Sequence, residues 1–259
     1  MPGIATNSTN IWLSRMSGYE YYSSATAALR ADRKFDAALR LSHERATPSL
    51  NNPDYLILKN RARLLHRWVA DSKETNLDIL DVGGRLQPYR DFLDDRSHTY
   101  TAIDPQVEGL ADVIATAERL PFRADSFHLV ICAQVLSYVD DPFAAVAEMR
   151  RVLKPEGHLF LSVPAFCPQY HDERWRFLRE GVERLLHDFA AFEICAEGYS
   201  VAGGMRMANK ILDRTQSKVG RELTSRIVFR LFNWIGKTLD GRTGHSEFLT
   251  PNYSAWARK

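Results

Sequence analysis

Residues 77–89 read LDILDVGGRLQPY. Apolar or β-branched side chains surround Asp78 and Asp81 and run straight into a glycine pair, with Pro88 shortly after. The pattern predicts a buried strand over 77–82, a tight turn at Gly83-Gly84 and a helix opening near Pro88. Glycine tolerates positive φ and lets backbone approach a ligand closely. A helix opening there would also aim free N–H groups at the same spot. Residues 100–104, Tyr-Thr-Ala-Ile-Asp, form a second short strand ending in Asp104, 23 residues beyond Asp81. A carboxylate at the tip of the second strand is where open α/β sheets hold the two hydroxyls of a ribose. These residues imply a nucleoside-containing cofactor.

Several cofactor classes are excluded. A dinucleotide site needs G-x-G-x-x-G to admit a pyrophosphate. Here Arg85 and Gln87 stand among the positions where further glycines belong. No Gly-Lys-Ser/Thr follows the turn, so it is not a phosphate loop of the Walker kind. The pair Tyr55 and Lys59 has dehydrogenase spacing but lies upstream of the glycine turn, where that chemistry has no use for it.

Three further blocks narrow the reading. They are residues 116–122 (Thr-Ala-Glu-Arg-Leu-Pro-Phe), 126–130 (Ser-Phe-His-Leu-Val) and 151–157 (Arg-Val-Leu-Lys-Pro-Glu-Gly). In order and spacing, residues 77–164 resemble the core of class I S-adenosylmethionine-dependent methyltransferases of the type 11 group. Members of that group carry a D-A-E-x-L-P-F block, an S-F-D-x-V strand and an R-V-L-K-P-G-G turn. The resemblance implies a Rossmann-like, doubly wound α/β sheet of about seven strands with the last one antiparallel. It also implies S-adenosyl-L-methionine as cofactor.

Length and composition agree. A chain of 259 residues accommodates one α/β domain with embellishments. Its hydrophobic share of 45% is ordinary for a protein with a sizeable core. A net charge of +2 makes no general case for nucleic acid or acidic lipid. Cys132, Cys167 and Cys195 lack metal-ligand spacing and read as reduced thiols. The first ten residues lack a signal peptide's basic start and apolar run. No apolar stretch approaches the roughly 20 residues of a membrane span. The expectation is a cytoplasmic protein.

Residues 1–52 read as an N-terminal extension and linker, with some helix over 25–41, and 53–259 as the methyltransferase domain. A helix is expected over 54–69 with Tyr55, Leu58, Leu65 and Val69 on one stripe. Strands are expected at 77–83, 99–104, 112–116, 128–134, 158–163, 191–197 and 253–258. The helix after the fourth strand should start at Pro142 with Asp141 as its cap and bury Phe143, Val146, Met149 and Leu153. The turn at 154–157 should stop that helix. A further helix is expected over 180–189. A helical insertion occupies about 204–245, before the last strand. Alternating β and α of this kind builds a parallel, doubly wound sheet.

The resemblance assigns a site residue by residue. Asp81 would organise the glycine turn and the methionine end of the cofactor. Gly83 and Gly84 would give close backbone approach, with Gln87 standing where the family has a third glycine. Asp104 would clamp the ribose. Thr116, Ala117 and Glu118 would edge the adenine, Thr116 accepting from its amine where the family often has aspartate. Gln134 would face the amino-acid end or the transferring methyl. Where many relatives read L-E-H-V, this chain reads Leu136-Ser137-Tyr138-Val139, so the histidine's role does not transfer. Tyr138 and His171 are the catalytic candidates, His171 as the base because histidine titrates near neutrality.

Asp140-Asp141 is no metal pair, since Asp141 serves as a helix cap, and no metal is expected. The run 140–143 lacks the second proline of the Asp/Asn-Pro-Pro-Tyr/Phe loop found in enzymes that methylate base amines. No stacking surface for nucleic acid is readable. The aromatic and polar run 170–177 should line the acceptor pocket.

In the insertion, Ile227, Val228, Leu231, Ile235 and Leu239 fall on one side and Arg226, Arg230, Asn233 and Lys237 on the other. Such a helix either packs its apolar face on its own domain or makes a peripheral membrane contact through 222–239. Either arrangement suits a lid. The expected activity is methyl transfer to a small-molecule or glycan acceptor, at oxygen. The alternatives are nitrogen or carbon transfer in secondary metabolism or lipid-quinone chemistry, or a methyltransferase fold kept as a binding module. The sequence leaves the oligomeric state open.

Overall fold

The computed structural model describes residues 33–72, 74–106, 109–170, 172–215, 220, 222, 224–242 and 244–259. The 25–32 part of the expected N-terminal helix therefore lies outside the described residues. One seven-stranded sheet has the order β3-β2-β1-β4-β5-β7-β6. β1 (Leu77–Val82), β2 (Ser97–Asp104), β3 (Val113–Ile114), β4 (Phe127–Ala133) and β5 (Leu153–Pro164) run parallel. β7 (Asn252–Arg258) runs antiparallel to both β5 and β6 (Ala191–Ala196). Strand order reverses between β1 and β4, which creates a crevice at the carboxyl edge of an open sheet.

Alternation along the strands supplies two cores. Leu80, Val82, Val130, Cys132, Leu159 and Leu161 pack on one face with Val146 and Met149. Ile79, Leu129, Ile131 and Phe160 pack on the other with Leu64, Leu65, Trp68 and Val69. The first face is covered by α4 (Pro142–Val152), with α5 (Arg179–Leu185) beside it; α2 (Tyr55–Ser72) covers the second. On α2 the buried side extends beyond the expected stripe to Leu56, Ile57, Arg61, Leu64 and Trp68, while Leu58 is only half-buried. Trp68 stacks on Trp256 at 5.9 Å and donates from Nε1 to Glu193 at 2.7 Å, so its polar edge is satisfied.

The helix after β4 begins as expected. Pro142 occupies its first turn, and Asp141 accepts from the N–H groups of Phe143 (2.9 Å) and Ala144 (3.1 Å). Its buried stripe is Ala145, Val146, Met149 and Val152, however, and Phe143 is exposed. Two residues past the cap, Phe143 falls on the outer side of the first turn. Residues 154–157 also differ from expectation: β5 starts at Leu153, and the kink is absorbed within it by Glu156 at φ 64°. Gly157 is needed there because a Cβ would lie 2.9 Å from the Lys154 carbonyl oxygen. The third strand shrinks to Val113–Ile114.

Ahead of the sheet, α1 (Arg33–Ala46) lays Ala38 against Leu86 and Leu110. The helix expected to open near Pro88 is short, a single turn, α3 (Arg90–Leu93). Gln87 explains its shortness: it is buried in the left-handed region at φ 46°. Its amide donates to the Leu110 carbonyl and accepts from Arg90 at 2.9 Å. The segment is thus held by side-chain bonds, and a helix dipole plays no part at the turn.

Between β6 and β7 lie α6 (Ser200–Thr215) and a π-helical turn (Ser225–Phe229) that continues into α7 (Arg230–Leu239). α6 docks where Gly203 meets the backbone of Leu249, at a place where a Cβ would stand 1.8 Å from a carbonyl oxygen. Gly203→Ala should therefore cost about 1–3 kcal/mol, the usual penalty of overpacking. Urea denaturation will read this as a lower midpoint, and an unchanged midpoint would mean that the docking is loose.

Candidate functional site

The sheet order sets the predicted cofactor residues side by side along one edge. Asp81 and the glycine pair end β1, Asp104 ends β2, residues 116–118 follow β3, and Gln134 follows β4. Gly83 has φ 74°, and a Cβ there would sit 2.2 Å from Val135 Cγ2. Gly84 donates to the Ile103 carbonyl at 2.9 Å, and a Cβ there would lie 2.8 Å from both Ala102 Cβ and Asp81 Cγ. Both glycines are thus required by the tips of the neighbouring strands, before any ligand is considered.

Asp81 is buried and accepts from Tyr100 Oη at 2.7 Å. Burial pushes its carboxyl up to about 7, a rise moderated by the Tyr100 bond and reinforced by Asp104 and Asp112. Asp104 accepts from the Gln106 N–H at 2.8 Å through Oδ1, while Oδ2 has no partner among the described residues. Partial burial raises this carboxyl too. Thr116 is exposed and Ala117 buried; the Thr116 carbonyl accepts from the Arg119 N–H at 3.3 Å. Glu118 is turned to the Asp140 N–H at 2.9 Å, which ties the post-β3 loop to the post-β4 loop.

Gln134 has φ 63° and joins a buried network that the sequence did not announce. Its Nε2 donates to Ser162 Oγ at 3.0 Å. The Ser162 hydroxyl donates to Glu197, and the Ser254 hydroxyl donates to the same oxygen at 2.6 Å. Arg61 of α2 closes on Glu197 with two bonds of 2.9 Å. Glu197 is fully buried and Arg61 nearly so. Desolvation alone would lower the Arg61 pKa, but Glu197 and Tyr89 outweigh it and the net shift is upward.

In the loop after β4, Tyr138 is 43% exposed. Burial, Glu173 and Tyr170 hold its phenol above the ordinary value, so it stays protonated and able to donate. His171 lies outside the described residues. Its neighbours 172–177 cross over the post-β4 loop: Arg174 and Trp175 donate backbone N–H groups to the Ser137 carbonyl, and Trp175 Nε1 donates to Val139 O at 3.0 Å. Trp175 thus anchors the segment, and Phe177 belongs to the core. The Tyr170 ring lies under Lys210 Nζ at 5.5 Å and the Arg214 guanidinium at 4.9 Å, so α6 reaches this segment. Arg206 and Lys210 share Asp54 at 3.0 and 2.9 Å. Asp140 pairs with Arg174 at 3.2 Å, and Asp141 is the α4 cap.

Residues 80–161 match the family model described as a methyltransferase domain. The ubiquinone/menaquinone biosynthesis C-methyltransferase UbiE of Acidiphilium cryptum is 33% identical over 118 residues, which are 40% of this chain and 47% of that protein. The uncharacterized methyltransferase YcgJ of Bacillus subtilis is 40% identical over 63 residues, 24% of each chain. The matches thus span about half of one curated relative and a quarter of the other. Among solved structures, the 4+2 cyclase SpnF has a TM-score of 0.51 at 19% identity, covering 76% of this chain and 81% of that one. A SAM-dependent methyltransferase from Archaeoglobus fulgidus has a TM-score of 0.50 at 13% identity, covering 77% and 92%. These two similarities establish the fold, a Rossmann-like α/β sheet with an antiparallel last strand. Residues 80–161 are thus similar to a methyltransferase domain. No helix among the described residues is long and apolar enough to cross a membrane.

Two measurements test the site's electrostatics. Glu197→Gln leaves the Arg61 guanidinium buried against a neutral amide and should cost about 3–5 kcal/mol in chemical denaturation; a loss under 1 kcal/mol would mean that Arg61 finds water. Asp81 works through pH. Its folded pKa is raised above the ordinary 3.8, so the native state keeps a proton that the unfolded chain gives up. Stability should therefore fall as pH rises from about 4 to about 7. Thermal midpoints of wild type and Asp81→Asn should diverge across that window, and parallel curves would show that Asp81 ionises freely.

Proposed function

We propose that this chain transfers a methyl group from S-adenosyl-L-methionine to a small-molecule acceptor, with oxygen as the atom methylated and a glycan hydroxyl within the acceptor class. The observation that carries the reading is the alignment of Asp81, Gly83-Gly84, Asp104, the 116–118 loop and Gln134 along one carboxyl edge at the strand-order reversal. The residues present fit the cofactor. The glycine pair removes two side chains at the turn, and Asp104 keeps Oδ2 for a ribose hydroxyl. Ala117 walls the adenine side, where Thr116 offers a hydroxyl.

The cofactor, when bound, supplies an electrophilic methyl on a sulfonium. The chain's own part is to position and to exclude water. The Gln134 amide donates to Ser162, which leaves its carbonyl oxygen to accept from a ligand N–H or O–H. The Tyr138 hydroxyl, held protonated, orients the acceptor. His171 is the proposed base; further along the chain, Arg174 and Trp175 are pinned to the post-β4 loop. Residues 53–259 are read as the domain and about 204–245 as a lid on it. The contact of Lys210 and Arg214 with Tyr170 supports the lid.

Carbon is the second reading, favoured by the C-methyltransferase name of the 33% identical relative. A fold retained for binding alone is the third. It draws on Gln87, which fills the place of the family's third glycine, and on the rule that a fold hosts many functions. Calorimetry with S-adenosylhomocysteine tests the cofactor step: saturable binding is expected, and its absence would leave only the third reading. Asp104→Ala should weaken that binding by about 1.5–3 kcal/mol, the scale of a hydrogen bond to a charged acceptor. A folded variant with unchanged affinity would remove Asp104 from the site. His171→Ala should depress turnover with little change in cofactor affinity, and less so at high pH. Wild-type turnover at neutral pH would make His171 structural.

A further inference from the structure

The helical segment formed by the π turn and α7 has two apolar faces, and the structure accounts for only one of them. Phe229, Asn233 and Gly236 point inward and are buried. Asn233 accepts from Asn209 Nδ2 at 3.0 Å and donates to the Leu50 and Asn52 carbonyls at 2.8 and 2.9 Å. Gly236 lets the helix ride so close to Leu56 that a Cβ would stand 2.4 Å from Leu56 Cδ1. These contacts prevent the helix from rolling. They reverse part of the sequence expectation, since Ile227 and Leu231 face outward and Asn233 faces inward. A large buried amide with three bonds outcompetes a stripe of aliphatic groups for this position, because it satisfies the open carbonyls at 50 and 52.

The outward face carries Ile227 (60% exposed), Leu231 (51%) and Trp234 (57%), at positions i, i+4 and i+7. Three large apolar side chains on adjoining turns form one continuous strip. Arg226, Arg230 and Lys237 lie on the same segment, and residues 225–239 contain no aspartate or glutamate. Arg226 pairs with Glu222, whereas Arg230 and Lys237 have no acidic partner among the described residues. A second copy of the chain docked on this strip by two-fold symmetry would bring the same cations together, so self-association is disfavoured. An anionic lipid surface matches both halves of the face. The aliphatic groups and the indole suit the headgroup–acyl boundary. The basic side chains reach the lipid phosphates while their stems lie along apolar surface.

We infer that the Ile227–Leu231–Trp234 strip, with its basic flank Arg230 and Lys237, docks on an anionic membrane surface. This inference is independent of which acceptor atom is methylated. If the lid reading also holds, the site then opens beside the bilayer and suits an acceptor delivered from lipid.

The test uses the full chain with vesicles of phosphatidylcholine alone and vesicles that also contain phosphatidylglycerol. Saturable co-sedimentation with the anionic vesicles is expected, at least tenfold tighter than with the neutral ones and weakened by salt. The double variants L231S/W234S and R230E/K237E should each lose tenfold or more, with thermal midpoints near wild type as the fold control. Equal binding to both vesicles, binding unchanged in either variant, or no binding at all would overturn the inference. A dimer in solution that L231S/W234S dissolves would overturn it as well, by assigning the strip to a second copy.

Discussion

Everything at the carboxyl edge of this sheet hangs on one buried carboxylate. Glu197 leaves β6 with no exposure, and its charge is tolerable only because the Arg61 guanidinium meets it in a two-bond fork. Two hydroxyls, from β5 and β7, donate to the same carboxylate. One anion therefore joins three strands to the helix that covers them. Such a pair is not a large source of net stability, because both ions lose water. Its effect is selection: α2 can seat on the sheet in one register only, because any slip leaves a charge buried alone.

The same carboxylate orients a group that a ligand can reach. Ser162 has a single proton and gives it to Glu197, so toward Gln134 its oxygen can only accept. Gln134 must then turn its NH2 toward Ser162, which leaves its carbonyl oxygen on the side away from that bond. The orientation of an amide is normally ambiguous, and here donor counting fixes it. A residue at the tip of β4 is thus controlled by a charge on β6 and a guanidinium on a helix that precedes the first strand.

This explains how much was legible in advance. Asp81, the glycine pair, Asp104 and the 116–122 block stand in local sequence patterns, and Asp141 bonds the first turn of its own helix, so spacing marks them as candidates. The parallel part of the sheet follows from alternating strands and helices, whereas the antiparallel last strand is implied by the family resemblance alone. Arg61 and Glu197 are 136 residues apart, and neither stands in a motif, so nothing local marks either as half of a pair. Gln87 shows the converse. Its departure from the family pattern is visible, but its consequence, a buried amide that bonds Leu110 and Arg90, depends on a loop 23 residues further on. The insertion misled for a third reason. A helix with apolar residues on both faces gives periodicity no single answer, and Asn233 was sorted by polarity when satisfaction of buried carbonyls decided its place.

The loops after β1, β3 and β4 and the segment 172–177 are also mechanically joined. The turn at Gly83 passes so near Val135 that no side chain fits between them, and Glu118 holds the Asp140 N–H across the two loops. Residues 137–139 in turn accept from Arg174 and Trp175, and Tyr170 of that segment lies beneath cations of α6. The glycine turn is therefore linked by packed and hydrogen-bonded groups to α6. Close packing leaves such a link little slack. A group placed in the crevice therefore meets loops whose positions are fixed by one another, which is the rigidity that positioning two reactants requires.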